Sequence, residues 1–300
     1  MQSSHLITPA AAAKLFASSS ASVIPLDATW YLPNAGKSGK DEFLAERIPG
    51  ARFFDIDEVK DPLSPYPHML PSAEQFSAAM GIADSLQDTI IVYDKQGNFS
   101  APRALWMFLV FKHPSVYLLD NFPQYKKQGL PITTEKLASL KQANRTDATS
   151  TYTNNGMIAE RVASYEDMVA ITQDAARRES YNIIDARPYA RWSGAAPEPR
   201  PGIPSGHVVG AISIAFSEVL DTQGQFKSVD ELQALFLSKG MSPEKPTIAM
   251  CGTGVTACVL ETALGKAGFA SAGGAPNVVY DGSWTEWAQR ADGSMIVQGE

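Results

Sequence analysis

The chain has 300 residues, of which 44% are hydrophobic and 19% are charged, and its formal net charge is −7. This length predicts two domains, because single hydrophobic cores rarely grow past about 250–300 residues. The acidic balance argues against binding to nucleic acid or to an anionic membrane through bulk electrostatics. No apolar run approaches the roughly 18 residues of a membrane span. The two cysteines exclude a disulfide scaffold and favour a reducing compartment.

The N-terminal segment carries little charge. Lys14 is the only charged residue before Asp27, and the segment contains no arginine. Because transit peptides are rich in arginine, we expect the protein to be cytoplasmic, with mitochondrial residence as the alternative.

The order of the predicted elements repeats once along the chain. In each half, a strand that ends in aspartate is followed by an Ile-Pro segment and a Gly-Ala pair, an amphipathic helix, a buried strand, a second helix and a strand that ends at another aspartate. These landmarks are Val23–Asp27, 48–51, 73–80, Thr89–Tyr93 and Asp120 in the first half, and Asn182–Asp185, 203–211, Val229–Ser238, Thr247–Met250 and Asp281 in the second. Strands that alternate with helices form parallel sheets. The sequence therefore predicts two copies of one α/β domain, residues 1–137 and 161–300, joined by a linker over 138–160 that is rich in Thr, Asn, Ser and Ala.

Cys251 is the strongest candidate for a reactive residue. It follows the predicted strand Thr247–Met250 and precedes a loop rich in Gly and Thr, which we expect to open a helix over 254–266. A cysteine there faces the positive end of a helix dipole and a set of backbone N–H groups. Both favour the thiolate, which is the nucleophilic form. Most free cysteines are small core thiols, and we keep that interpretation for Cys258.

Three other loops that bind anions or use cysteine do not fit this segment. A phosphate-binding P-loop needs a lysine before its Ser or Thr, and none is present. A cysteine phosphatase needs an arginine six residues after the cysteine, where this chain has Ala257. A thioredoxin-type C-x-x-C motif fails because Cys258 is the next cysteine. A single thiolate surrounded by backbone N–H groups remains.

The first half has Asp94 at the position equivalent to Cys251. Aspartate has no thiol and cannot take the place of the thiolate, so only the second half is expected to be catalytic. The first half should act as a scaffold and as one wall of an interdomain cleft, where small-molecule sites often lie.

The segment Cys-Gly-Thr-Gly-Val-Thr-Ala at 251–257 resembles the active-site loop of the rhodanese superfamily, in the version of the 3-mercaptopyruvate sulfurtransferases. Members that prefer thiosulfate usually carry Arg-Lys where this chain has Gly252 and Thr253. The resemblance extends from Leu6 to about Trp287, and it is particularly close to fungal members linked to tRNA thiolation. Other segments that carry it are 27–33, 53–57, 64–69, 197–200 and 280–284. It implies two tandem rhodanese-like domains and, because it begins near Leu6, no removable leader.

Arg191 and Arg200 flank a loop rich in Pro and Gly. Arginine presents a planar fork that binds a carboxylate through two parallel bonds, although most arginines are solvated surface residues. The resemblance implies that these two hold the substrate carboxylate. We expect Arg187 to be a structural partner of Asp185 or of the loop.

The resemblance also implies roles for residues around the cysteine. Asp57 and His68 of the first half would form a proton relay with the hydroxyl of Thr253, which replaces the commoner serine. Threonine keeps the O–H but is stiffer at χ1. On its own, His68 in a Pro-rich loop would be a surface or hydrogen-bonding histidine. The sulfur would be surrounded by backbone N–H groups of the residues after the cysteine: Gly252, Thr253, Gly254, Val255 and Thr256.

The sequence therefore predicts a sulfurtransferase that takes sulfur from 3-mercaptopyruvate onto Cys251 as a persulfide and releases pyruvate. The relay would supply a proton to the pyruvate enolate. The acceptor would be cyanide, a small thiol, a thioredoxin-like protein or a protein that activates a sulfur carrier. We expect a monomer with no metal, no cofactor and no direct contact with nucleic acid. Two alternatives stay open: thiosulfate as the better donor, and a role mainly as a sulfur-relay partner in tRNA thiolation.

Overall fold

The computed structural model describes residues 5–18, 22–80, 86–137, 139–144, 152–153, 155–269 and 276–299. It contains two five-stranded sheets, and every strand pair in both is parallel. In spatial order the first sheet is β1 (Leu6–Ile7), β5 (Val116–Leu119), β4 (Thr89–Tyr93), β2 (Val23–Asp27) and β3 (Arg52–Phe53). The second is β6 (Val162–Ala163), β11 (Val278–Tyr280), β10 (Thr247–Met250), β7 (Asn182–Asp185) and β9 (Ala211–Ser213).

The same strand order occurs in both sheets, so the predicted duplication of one α/β domain is confirmed. The central strands β4 and β10 are short apolar runs whose residues are almost all buried. Such continuous apolar runs are typical of parallel strands, which are covered on both faces. A separate antiparallel pair joins β8 (His207–Val208) to β12 (Ile296–Val297) near the C-terminus.

Helices flank both sheets. Those of the first half are α1 (Pro9–Phe16), α2 (Gly39–Ala45), α3 (Ala73–Ala79), α4 (Ala101–Val110), α5 (Phe122–Lys127) and α6 (Leu140–Asn144). Those of the second are α7 (Tyr165–Thr172), α8 (Ala175–Glu179), α9 (Tyr189–Trp192), α10 (Val229–Ser238), α11 (Ala257–Ala267) and α12 (Ser283–Arg290). Among the described helices, none is long and apolar enough to cross a membrane.

Side-chain caps define where the two equivalent amphipathic helices begin. Ser72 accepts from the N–H of Gln75 and Ser228 from that of Glu231, and both third residues bond back to the capping residue. These reciprocal capping boxes satisfy backbone donors that a helix leaves free at its start. The predicted helices over 73–80 and 229–238 are thereby confirmed, the first one residue shorter than expected.

The helix after Cys251 begins later than predicted. It starts at Ala257 rather than at residue 254. Gly254 has φ of +75°, in the left-handed region that a right-handed helix excludes. Residues 251–256 therefore form a loop, called the Cys251 loop below, and this loop turns the chain from β10 into α11.

The predicted linker is not a loop throughout. Within it lies α6, and the Asn144 side chain accepts from the Phe53 N–H at 2.8 Å and donates to the Phe53 carbonyl at 3.0 Å. This part of the segment therefore packs against the edge of the first sheet. Residues 138, 145–151 and 154 lie outside the described residues, and the domain boundaries remain predictions.

The two domains share a core. Helix α4 of the first domain packs against α11 of the second. A single apolar cluster contains buried side chains from both helices, among them Leu105, Phe108, Val259 and Leu260. Because each of these helices directly follows the central strand of its sheet, their packing brings the loops at the carboxyl ends of β4 and β10 to the domain interface.

Candidate active site

Cys251 lies immediately after β10 and is only 2% exposed. Its N–H donates to the Ser283 hydroxyl at 3.1 Å, and its carbonyl accepts from the N–H of Trp284 at 2.9 Å. The next carbonyl, that of Gly252, accepts from the N–H of Thr285 at 2.9 Å. The start of α12 therefore fixes the backbone of the cysteine on both sides.

The first domain shows what this type of loop does with an anion. Asp94 follows β4, as Cys251 follows β10, and its buried carboxylate accepts four backbone N–H bonds of 2.8 to 3.0 Å from residues further along its loop, namely Gln96, Phe99, Ser100 and Ala101. Gly97 has φ of +82° and its counterpart Gly254 has φ of +75°, so both loops contain a left-handed residue at the equivalent position. Successive N–H groups that converge in this manner form an anion-binding concavity.

The three predicted relay residues lie in contact across the domain interface. His68 Nδ1 lies 3.1 Å from Thr253 Oγ1, and His68 Nε2 lies 2.9 Å from Asp57 Oδ1. Trp30 adds support to both first-domain residues: its indole N–H donates to Asp57 Oδ2 at 2.7 Å, and its ring packs edge-to-face on His68 with centroids 4.9 Å apart. The chain Asp57–His68–Thr253 is therefore continuous.

The charges of this chain follow from its surroundings. Burial lowers the pKa of His68, although the hydrogen bond and the charge of Asp57 act in the opposite direction. The hydrogen bond from His68 lowers the pKa of Asp57. At neutral pH the imidazole is thus neutral and the carboxylate is ionised. The network then assigns the ring proton to Nε2, which leaves Nδ1 as an acceptor for the O–H of Thr253.

The arginines near the cysteine differ in what they already bind. Arg187 pairs with Asp185 at 2.6 Å and with Glu198 at 2.8 Å, which confirms its structural role. Arg191 directs its Nε and Nη2 at the two oxygens of Glu198, so one side of its fork is occupied. Arg200 has no hydrogen-bond or ion-pair partner among the described residues. Burial lowers the pKa of the Arg200 guanidinium.

Cys251 is one of the residues that line a cavity of about 160 Å³. Arg191, Arg200 and all residues of the Cys251 loop except Gly254 line one part of it, and an apolar part is formed by Trp30, Phe99 and Phe216. Every predicted site residue except Asp57, His68 and Gly254 lines this cavity. His68 contacts Thr253 and Asp57 contacts His68, so neither lines the cavity directly. Gly254 lies against the backbone of Asp281.

Three contributors to this site were not predicted as functional residues from the sequence. Trp30 donates a hydrogen bond to Asp57, and Glu198 accepts one from Arg191. The hydroxyl of Ser283 accepts a hydrogen bond from the backbone N–H of Cys251. All three lie in segments that carry the family resemblance, but nothing in their spacing indicates their partners. Among the described residues, no group of three or more His, Cys, Asp or Glu side chains is arranged to hold a metal ion.

Comparison with known proteins agrees with this geometry. The family described as "Rhodanese-like domain" matches residues 38–128 and 168–290. "Thiosulfate sulfurtransferase TUM1" of Saccharomyces cerevisiae is 38% identical over 98% of this chain and 97% of its own, and the crystal structure of yeast Tum1 superposes with a TM-score of 0.89, at 36% identity over 98% of both chains.

Two further relatives are equally similar over nearly their full lengths. The 3-mercaptopyruvate sulfurtransferase of Rattus norvegicus is 41% identical over 91% of this chain and 87% of its own. The sulfur transferase subunit described as sub-stoichiometric in yeast mitochondrial complex I superposes with a TM-score of 0.85, at 42% identity over 98% of this chain and 99% of its own. The chain therefore belongs to the rhodanese family, as a sulfurtransferase with two tandem rhodanese domains.

Proposed function

We propose that this protein transfers sulfur from 3-mercaptopyruvate, with thiosulfate as a second donor, to a thiol acceptor through a persulfide on Cys251. One observation carries the proposal: Cys251, Thr253 and Arg200 line the same small cavity, Arg200 has no hydrogen-bond or ion-pair partner among the described residues, and Thr253 ends the hydrogen-bonded chain that begins at Asp57 and passes through His68. Relatives named for each of the two donors support it.

The carboxylate of the donor binds the arginines. Arg200 has its whole fork available, whereas Arg191 offers the atoms that Glu198 leaves free. Glu198 also balances part of the charge of Arg191, so we assign Arg200 the larger share of binding. A charge-assisted hydrogen bond of this kind contributes about 1.5–3 kcal/mol.

Sulfur transfer begins when the Cys251 thiolate attacks the sulfur of mercaptopyruvate. An S–S bond forms while the C–S bond breaks, and the electron pair of the C–S bond becomes the enolate of pyruvate. No oxidant is needed, since the carbon that loses sulfur gains the electrons. The product on the protein is the persulfide. By analogy with the carboxylate of Asp94 in the first domain, we place its terminal sulfur among backbone N–H groups of the Cys251 loop.

The relay moves the proton of the donor thiol to the carbon of the pyruvate enolate. Neutral His68 accepts the proton of the Thr253 hydroxyl as that hydroxyl takes the proton from the donor S–H, with ionised Asp57 stabilising the imidazolium. The proton then returns along the same chain to the methylene carbon of the enolate and gives pyruvate. One donor anion therefore yields one pyruvate anion, and the cysteine persulfide is left anionic, as the thiolate was before.

A second thiolate completes the cycle by attacking the terminal sulfur and displacing the Cys251 thiolate, which is ping-pong covalent catalysis. Cyanide, a small thiol, a thioredoxin-like protein or a sulfur-carrier-activating protein would serve as acceptor in the same way. A sulfur-relay role in tRNA thiolation would use the same persulfide and differ only in its acceptor. We propose cytoplasmic residence, with the mitochondrion as the alternative.

A single-turnover experiment tests the proposal. The protein is mixed with a small excess of mercaptopyruvate and no acceptor, pyruvate is measured, and the peptide that contains both cysteines is fragmented in a mass spectrometer. We expect one pyruvate per chain and the mass of one added sulfur atom on Cys251. Sulfur on Cys258, or pyruvate without added sulfur, would contradict the proposal.

A further inference from the structure

Arg103 is a fully buried arginine of the non-catalytic domain whose guanidinium reaches into the second domain. It lies on α4, and its Nη1 forms an ion pair with Asp281 Oδ1 at 2.7 Å. The same nitrogen donates to the carbonyl of Gly254 at 3.3 Å, and Nη2 donates to the carbonyl of His68. One side chain therefore contacts the backbone on both sides of the relay bond between His68 and Thr253.

Asp281 completes a clamp around the same loop. Its Oδ2 accepts from the N–H of Leu70 at 2.7 Å, while its Oδ1 faces Arg103. The segment from His68 to Leu70 is thus held at one carbonyl and one N–H, two residues apart. His68 needs such support, because its φ of +63° lies in the left-handed region that non-glycine residues rarely adopt.

The second half of the clamp is steric. A Cβ atom added at Gly254 would lie 2.7 Å from the backbone oxygen of Asp281 and 2.9 Å from Nη1 of Arg103. The Cys251 loop therefore approaches the ion pair as closely as a glycine allows. Burial lowers the pKa of Arg103, but the Asp281 carboxylate and the neighbouring Cys258 raise it, and the net pKa shift is upward, so the guanidinium stays charged.

We propose that Arg103, paired with Asp281, is a positioning residue for the proton relay: it sets the distance between His68 of one domain and Thr253 of the other. The inference rests on the proposed function, since it concerns the relay used with mercaptopyruvate. Arg103 does not line the cavity at Cys251 and touches no reacting atom. It acts through the two carbonyls that it binds, one on each side of a contact that no covalent link maintains.

Arg103→Lys is the first test, because lysine keeps the charge but cannot bind three acceptors in a planar fork. A misplaced relay should lower kcat with mercaptopyruvate about ten- to a hundred-fold with little change in KM. Thiosulfate has no carbon to protonate, so its kcat should change less than three-fold. The acidic limb of the mercaptopyruvate pH profile should also move toward the ordinary histidine pKa of about 6.5 as His68 becomes more solvated.

Two controls separate positioning from general destabilisation. Arg47→Lys changes another buried arginine of the first domain, bound to the carbonyls of Leu44 and Glu135, and should leave the ratio of the two activities unchanged. Asp281→Asn keeps an acceptor for Leu70 but removes the ion pair, and should reproduce the effect of Arg103→Lys. This second variant decides the matter if Arg103→Lys does not fold.

A double-mutant cycle gives the sharpest outcome. In a His68→Asn background, where asparagine tolerates the left-handed backbone, Arg103→Lys should cause no further loss with mercaptopyruvate. Equal losses with both donors, or additive losses in the cycle, would overturn the positioning role. The parent protein is assayed for the sulfur adduct on Cys251 in the same series. If the parent protein forms the sulfur adduct but Arg103→Lys leaves the ratio of the two donor activities unchanged, only the role of Arg103 is overturned. If the parent protein forms no adduct, the proposed function is overturned as well.

Discussion

Asp94 occupies in the first domain the position that Cys251 occupies in the second, and its carboxylate accepts four backbone N–H bonds from its own loop. Both residues follow the central strand of a sheet with the same order. The ability to surround a negative charge with N–H groups is therefore a property of this loop. Under the proposed function, the first residue of the loop determines whether the charge is a fixed carboxylate or a sulfur anion that can be transferred.

Replacing Asp94 should destabilise the protein without entering its chemistry. Asp94→Ala leaves four backbone N–H donors without an acceptor, of which those of Ser100 and Ala101 are fully buried, and we expect the free energy of unfolding to fall by about 3 kcal/mol. Asp94→Asn keeps one oxygen and should lose less. Denaturant unfolding measures both, and kcat per folded molecule should stay near that of the parent protein. A larger loss for asparagine than for alanine would contradict this account.

The two cysteines should respond differently to the same substitution. Burial raises the pKa of the Cys258 thiol well above its ordinary value, and its Sγ donates to the carbonyl of Gly254 at 3.2 Å. Cys258 is therefore a protonated core residue, and Cys258→Ser should retain most of the activity because the hydroxyl can make the same bond. Cys251→Ser should abolish sulfur transfer. Similar losses from both changes, measured with either donor, would mean that the pair acts jointly.

The pH dependence follows from the lowered pKa of His68. A histidine whose pKa is lower in the folded state binds fewer protons there than in the unfolded chain. Stability should therefore fall as the pH drops below the ordinary histidine value of about 6.5. Activity with mercaptopyruvate should fall over a more acidic range, set by the folded-state pKa, because only neutral His68 can accept a proton.

The matched variant for this prediction is His68→Asn. Its mercaptopyruvate activity should be low at every pH and should lack the acidic limb of the parent protein. If the limb persists in kcat/KM for this variant, another group titrates there and His68 is not the residue that controls it.

The sequence predicts the positions of β2, β4, β7 and β10 well, because each is a short, largely apolar run. It misplaces the start of α11, because a glycine at 254 is compatible with a helix and nothing local indicates φ of +75°. The contact between Asp57, His68 and Thr253 could be predicted only from the family resemblance, because their spacing in the sequence does not indicate it. Arg103 could not be predicted: its acceptors at Gly254 and Asp281 lie in the other domain, and only the packing of α4 on α11 brings them near.

Donor choice should respond to charge in the Cys251 loop. Converting Gly252-Thr253 to Arg-Lys adds two cations beside the sulfur and should raise activity with thiosulfate relative to mercaptopyruvate. Arg191 Nη2 lies 3.2 Å from the place of a Cβ at residue 252, so Arg191 must move, and the change also removes the relay hydroxyl.

Thr253→Val is the control for that experiment, because it removes the hydroxyl without adding charge. If it shifts the ratio of the two kcat/KM values as far as Arg-Lys does, loss of the relay explains the change and the loop charge does not select the donor.

The contributions of Arg200 and Arg191 to binding the substrate carboxylate can be separated by measuring kcat/KM of their variants with mercaptopyruvate and with thiosulfate. Arg200 has no partner among the described residues and lines the cavity, whereas Glu198 already holds Arg191. Arg200→Ala should lower kcat/KM for mercaptopyruvate about ten- to a hundred-fold, the equivalent of about 1.5–3 kcal/mol. Arg200→Lys should recover only part of this loss, because a point charge cannot replace the fork.

Arg191→Ala should have a smaller direct effect on binding, but it leaves the buried carboxylate of Glu198 with Arg187 as its remaining partner. Its unfolding free energy should therefore fall while that of Arg200→Ala stays near the parent value, since Arg200 makes no hydrogen bond or ion pair with any residue that the structure describes. Thiosulfate has no carboxylate, so Arg200→Ala should reduce its kcat/KM much less than that of mercaptopyruvate. An equal fractional loss with the two donors would mean that Arg200 shapes its loop instead of gripping the substrate, and the assignment of the carboxylate site would be wrong.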